Sequence, residues 1–175
     1  MNDVLGIPDF ARHLVNLASP RLGAKTLSCS DDFFAPMERI LQDGEPVFIA
    51  DKFDDHGKWM DGWESRRRRG GGFDHLVIQL GTRGIIRGVD IDTRYFTGNY
   101  PPKASIEVAD GGHSNQVGEL AWRELLSETP LGPDCHHYVS ISDPEPATHL
   151  RLNIFPDGGV ARLRVYGEPL PDWTR

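Results

Sequence analysis

The sequence predicts an all-β fold, a β-sandwich or jelly roll with one short helix at its N-terminus. Two observations carry this expectation. Several stretches after residue 75 alternate apolar and polar side chains with a period of two, as strands with one buried face do. Gly (19) and Pro (13) are frequent among the 175 residues and fall between the short apolar runs, which is the punctuation of an antiparallel architecture.

In chain order, the first segment has the best helical spacing. Asp9 follows Pro8, and Phe10, Leu14 and Leu17 or Ala18 recur at helical intervals. The helix should end near Ser19-Pro20, because a residue preceding proline avoids the helical region. A short helical turn is expected within 33–42, with Pro36 near its start. A loop rich in Gly, Pro and Asp follows. His75 to Leu80 is a short apolar run that Gly81 should end. Val89, Ile91 and Thr93 share one face of the next strand, with Asp90 and Asp92 on the other. Ala104, Ile106 and Val108 alternate with Ser105 and Glu107, and Val139 and Ile141 with Ser140 and Ser142. Leu150, Leu152 and Ile154 alternate with His149, Arg151 and Asn153. Ala161, Leu163 and Val165 alternate with Arg162, Arg164 and Tyr166, and Asp157-Gly158-Gly159 should turn a hairpin between these last two runs. Each polar face is expected to be wet. Residues 168–175 read as a tail or the start of a linker.

The length suits one domain spanning 1–175, with 1–20 as a helical lead-in. Lys and Arg total 19 against 26 Asp and Glu, a net charge of −7. Such a balance argues against a nucleic acid or an anionic membrane surface as partner, and no apolar run approaches the ~20 residues of a membrane helix. Met1-Asn2-Asp3-Val4 has neither a basic flank nor a long apolar stretch, so no signal peptide is expected. Cys29 and Cys135 form no metal or redox motif, which points to free thiols and a cytoplasmic protein.

Three stretches could carry chemistry. Residues 57–72 pack Trp59, Trp63, Asp61, Glu64 and the arginines 66–69 between glycines. An arginine run is by default a solvated loop, but Arg clamps carboxylates bidentately, and a small anion is a sharper partner here than a polyanion. Residues 90–102 deliver Asp92 to a strand end ahead of a loop containing Asn99; these side chains could bind a ligand or simply shape the loop. Residues 148–164 place His149, Arg151 and Asn153 on one strand face, a surface or the lining of a pocket. No phosphate-binding loop, paired-His zinc helix or nucleophile elbow is present. Adjacent His136-His137 would point to opposite faces, and Asp31-Asp32 and Asp54-Asp55-His56 lack calcium-loop spacing, so neither metal nor cofactor is expected.

Taken together, these stretches resemble the allantoicase family. The resemblance rests on Ser30-Asp31-Asp32-Phe33-Phe34-Ala35-Pro36, on 57–67 (Gly-Lys-Trp-Met-Asp-Gly-Trp-Glu-Ser-Arg-Arg) and on Leu80-Gly81 with Ile86-Arg87-Gly88. It continues through 92–102 (Asp-Thr-Arg-Tyr-Phe-Thr-Gly-Asn-Tyr-Pro-Pro) and Thr148 to Leu152, then Pro156 to Gly159 and Arg162 to Gly167. These motifs run in family order along nearly the whole chain. The resemblance implies a galactose-binding-like jelly roll and hydrolysis of allantoate to ureidoglycolate and urea. It also implies two departures. The family usually carries two tandem modules, and this chain resembles the first, so a homo-oligomer or a second allantoicase-type module is expected as partner. Phe73 and His75 stand where the family tends to have His and Trp.

Allantoate bears a carboxylate and two ureido groups on one carbon. Replacing one ureido group by hydroxyl calls for a general acid, a group to direct water and a cation for the carboxylate, without a covalent nucleophile. On residue type and motif position, Glu64 and Asp61 are the candidate acid or base. Arg66 or Arg67 would hold the carboxylate. Asp92, Asn99 and His149 would serve the ureido groups, His149 also as a catalytic candidate, with Trp63 and Arg151 completing the binding residues. The competing class is a binding or assembly module without chemistry, since fold does not determine function.

Overall fold

The computed structural model describes residues 6–114 and 116–172. The N-terminal tetrapeptide read for a leader, and Trp173 to Arg175 of the expected tail, lie outside them. The elements are α1 (Asp9–His13), β1 (Val15–Asn16), β2 (Lys25–Cys29), β3 (Phe53–Asp54), β4 (Gly57–Lys58), β5 (Trp63–Glu64) and β6 (Asp74–Asp92). They continue with β7 (Lys103–Ala109), β8 (Arg123–Pro130), β9 (Tyr138–Ser140), β10 (Ala147–Phe155), β11 (Gly159–Val160) and β12 (Arg162–Pro169). Single 3-10 turns cover Pro20–Leu22, Met37–Leu41 and Val117–Glu119. The second is the helical turn expected behind Pro36.

One long strand organises the molecule. β6 runs for 19 residues without a break at Gly81, so the two separate strands expected here are one. Gly81 lets the chain pass close by: a Cβ there would clash with that of Leu22. The first half of β6 pairs with β2 and β10, and β7 and β8 follow beyond β10. The second half pairs with β9 and β12, with β1 beyond. β6 therefore belongs to two antiparallel sheets, and their apolar faces meet in one core. Leu76, Ile78, Ile106, Leu150 and Leu152 come from one sheet, and Val89, Ile91, Leu163 and Val165 from the other.

Four further expectations are corrected. The helix stops at His13 rather than near Ser19, and Leu14 is extended. The edge of β12 offers unpaired backbone groups there. Val15 and Asn16 pair with Gly167 and Tyr166, and the Asn16 amide oxygen accepts from the backbone N–H of Ala18 and Val165. β10 and β12 form no hairpin, because β6 lies between them; the Asp157-Gly158-Gly159 turn leads instead into β11, which pairs with β5. Glu168 and Pro169 belong to β12 rather than to a tail, held against Ile85 and Gly84 of β6. Finally, the polar strand faces are mostly covered: Asp90, Asp92, His149, Asn153, Arg162 and Arg164 are all buried. Loops close over them. The carbonyls of Gln42, Asp43 and Gly44 accept from Arg164, and His136 bonds Asp90.

Candidate functional site

The site begins with the short strand β5. Its backbone is held on both sides, by Gly159 and Val160 of β11 and by Ala35, whose carbonyl accepts from the Glu64 N–H at 3.1 Å. Alternation along the strand sends the two side chains opposite ways. Trp63 enters the core, fully buried, with its indole N–H donating to the Asp31 carbonyl. Glu64 turns to a cleft on the other side.

Asn99 meets Glu64 there, its amide nitrogen donating to the carboxylate at 2.5 Å. The redirected glycine turn positions Asn99. The Gly159 N–H donates to the Asn99 carbonyl, and a Cβ on Gly158, at φ 132°, would lie 2.5 Å from that same oxygen. We expect Gly158→Ala to push Asn99 away from Glu64 and to lower activity more than it lowers the melting temperature, a comparison of turnover with thermal melts. Burial pushes the Glu64 carboxyl above the ordinary Glu value, and the Asn99 bond only partly opposes this.

Two recesses share Glu64, Asn99 and Phe34 as walls. One, of about 360 Å³, adds His56, Lys58 and Tyr95. The other, of about 630 Å³, adds Arg67, Arg68, Tyr100 and Asp157. Arg67 has no ion-pair partner among the described residues. Arg68 is committed to Asp74 at 2.7 Å.

The remaining sequence candidates lie elsewhere. Arg66 is spent on Asp31, whose Oδ1 accepts from its side chain at 2.8 and 3.0 Å and whose Oδ2 accepts from its backbone N–H at 2.7 Å. Burial would raise the Asp31 carboxyl, but these bonds outweigh it and hold it low. Asp61 is buried against Arg162, at 2.9 and 3.1 Å. His149 pairs across the sheet with Gln79 and Ala109. It sits well back from Phe155, the end of β10 that leads to the cleft, roughly 20 Å away at the usual strand rise. Arg151 bonds Glu107 at 2.6 Å and covers the Trp122 ring. Asp92 lies behind the cleft in a charged cluster with Arg94, His136 and Glu45. Phe73, at the departure from the family pattern, packs on Phe155.

In that cluster Glu45, Asp92 and His136 place potential ligand atoms within 4.8 Å of one another. The Arg94 guanidinium already supplies the positive charge between Glu45 and Asp92. The Asp90 bond, with both aspartates nearby, raises the His136 pKa despite its burial. A raised His value gives stability that is complete below the ordinary pKa of 6.5 and lost as pH rises through the folded value. The melting-temperature gap between the parent and His136→Gln should therefore narrow above that value. Burial, with Asp32 and Asp31 nearby, pushes the Cys29 thiol up to about 12, which excludes it as a thiolate nucleophile at neutral pH.

Sequence reasoning missed His56 as a cleft residue. The only signals were the Asp-Asp-His-Gly run and Gly57, at φ 134°, which turns β3 into β4. Strands of two residues carry no readable alternation.

Known proteins match this chain in sequence and in fold. The family model described as an allantoicase repeat covers residues 15–170. A probable allantoicase of Ralstonia nicotianae is 53% identical over 166 residues, 95% of this chain and 49% of that protein. Probable allantoicase 1 of Burkholderia mallei is 56% identical, over 95% of this chain and 50% of its own length. The chain thus spans about half the length of the curated relatives it matches. A solved allantoicase structure superposes with a TM-score of 0.81 at 32% identity, covering 93% of this chain and 53% of that one. Allantoicase from Saccharomyces cerevisiae gives 0.75 at 34%, covering 87% and 48%. A family 32 carbohydrate-binding module from Clostridium perfringens, solved with galactose, matches at 0.60 and 16% identity over 87% of this chain and 99% of the module, which shows the shared galactose-binding-like fold alone. With the repeat model spanning β1 to β12 and relatives more than half identical along that span, the chain belongs to the allantoicase family.

Proposed function

We propose that this chain is one allantoicase module and acts in the hydrolysis of allantoate to ureidoglycolate and urea. The observation that carries the reading is the Glu64–Asn99 pair at the centre of a cleft whose wall holds an arginine without an ion-pair partner among the described residues. Arg67 receives the substrate carboxylate by charge-assisted hydrogen bonds. Glu64, kept protonated more readily by its burial, gives its proton to the departing ureido nitrogen. The remaining ureido nitrogen pushes its lone pair toward the central carbon as that bond breaks, and water adds to the acyliminium-like centre. Asn99 fixes the Glu64 carboxyl while this happens.

The test is urea release from allantoate, run beside a size measurement. Arg67→Ala should raise KM about 10- to 100-fold, as loss of a charged hydrogen bond does. Arg66→Ala should change KM much less, since Arg66 already serves Asp31. Full turnover at unchanged KM in Arg67→Ala would remove that assignment. Binding of allantoate without urea release would favour the alternative, a non-catalytic ligand-binding or assembly module, which the carbohydrate-binding fold neighbours support.

The relatives' double length supports a second allantoicase-type module, or a second copy of this chain, as partner. A monomer by light scattering at working concentration would count against the second copy. The reading includes a cytoplasmic location, supported by two unpaired cysteines. Among the described residues no helix is long and apolar enough to cross a membrane.

A further inference from the structure

Glu64 supplies a proton to the leaving group, but the attacking water must also lose one. The recess beside Glu64 holds a second titratable group suited to that task, on the hairpin formed by β3 and β4. His56 lines the same 360 Å³ recess as Glu64 and Asn99. Its Nδ1 lies 2.6 Å from the Phe33 carbonyl oxygen. A carbonyl can only accept, so Nδ1 carries the hydrogen, and in the neutral ring the lone pair is on Nε2. Among the described residues nothing bonds Nε2.

The ring is also held in orientation. It stacks on Phe33 with centroids 4.0 Å apart and planes 18° from parallel. The His56 backbone N–H donates to the Asp54 carboxylate at 2.8 Å, which fixes the turn that presents it. A fixed tautomer, a fixed plane and a free basic nitrogen are what a water-activating base needs. Charged groups of both signs surround it. Lys58 lines the recess and Arg66 covers the Phe33 ring. Asp54 accepts from the His56 backbone, and Glu64 and Asp134 line the same recess.

We propose that His56 is the base that takes a proton from the attacking water, opposite Glu64 as the acid. The assignment rests on the hydrolytic reading above. In the first step the carbon–nitrogen bond breaks, its electron pair goes to the departing ureido nitrogen, and the Glu64 proton joins that nitrogen to release urea. In the second step a water oxygen bonds to the electron-poor carbon and its surplus proton passes to His56 Nε2. Imidazolium and carboxylate then return to their starting forms by proton transfer through solvent. The sum is allantoate plus water giving ureidoglycolate plus urea.

The experiment measures urea release across pH for the parent chain, His56→Ala and His56→Gln, with melts to verify folding. Both variants should lose about 100-fold or more in kcat. Both should lose the low-pH limb of the profile, which in the parent reports the base becoming protonated. Added imidazole should restore part of the rate in His56→Ala, whose cavity admits it. If the parent turns over and both variants keep its kcat and its low-pH limb, His56 is not the base. The same holds if kcat falls but the limb persists and imidazole restores nothing, because that pattern marks a supporting residue. No urea release by the parent would overturn the hydrolytic reading, and the role of His56 with it.

Discussion

Glu64→Gln should lower urea release by about 10²- to 10⁴-fold, the usual contribution of a positioned proton donor, while leaving the melting temperature at pH 7 unchanged or higher. The two halves of this expectation share one cause. Glu64 is buried and, among the described residues, its carboxylate receives one hydrogen bond, from Asn99, so its charged form is poorly stabilised and its pKa is raised by desolvation. For a carboxyl whose folded pKa exceeds its unfolded one, the folded state holds the proton more tightly. The stability this gives is complete below the unfolded value and is lost as pH rises through the folded value. Whenever the side chain is ionised it therefore costs stability that glutamine, uncharged and of similar shape, does not. The substituted amide would still accept from Asn99. The stability gap between variant and parent should close as the pH falls toward the ordinary Glu value of 4.5. Retained turnover in Glu64→Gln would remove Glu64 from the chemistry; a marked fall in its melting temperature would mean that its charge supports the fold.

Asp61→Ala should behave in the opposite way and unfold the protein rather than disarm it. Asp61 pairs with Arg162, which is 1% exposed and also donates to the carbonyls of Arg39, Gly44 and Ala161. The Asp61 Oδ2 is doubly committed, since it also accepts from the Val47 N–H at 3.0 Å. Removing the carboxylate leaves a buried guanidinium without a counter-charge, a loss of about 3–5 kcal/mol. For a chain of this size that corresponds to a melting temperature lower by about 6–20 °C. Val47 and the loop around it border Phe48 on the cleft wall, so activity should fall together with stability. Circular dichroism melts of Asp61→Ala and Asp61→Asn decide the matter. A variant that melts like the parent but has lost turnover would restore Asp61 as an acid or base.

These two neighbours in sequence were indistinguishable by residue type. Both are carboxylates flanking Trp63 in one motif, and both suit acid–base work. Alternation around Trp63 does not separate them either, because Asp61 precedes the two-residue strand. What separates them is the surroundings: Arg162 is 101 residues away from Asp61 along the chain and Asn99 is 35 residues from Glu64. The arginines of the run divide for the same reason. Arg66 finds Asp31 and Arg68 finds Asp74, which leaves Arg67 to the cleft.

The alternating runs by themselves determined the class of fold and the apolar, core-facing side of the strands they cover, but not β2, β8 or the two-residue strands. A period of two with apolar residues on one side has only one favourable burial, so Leu150, Leu152 and Ile154 face the core whatever lies around them. Only the tertiary structure decided that β6 is one strand shared by two sheets, and that the glycine turn after β10 feeds β11 instead of a hairpin. It also decided that His149 lies at the far end from Glu64 while His56 lies beside it. Periodicity reports which side of a strand joins the apolar core. It carries no information about which distant loops close over that strand's ends, and the cleft is built from those loops.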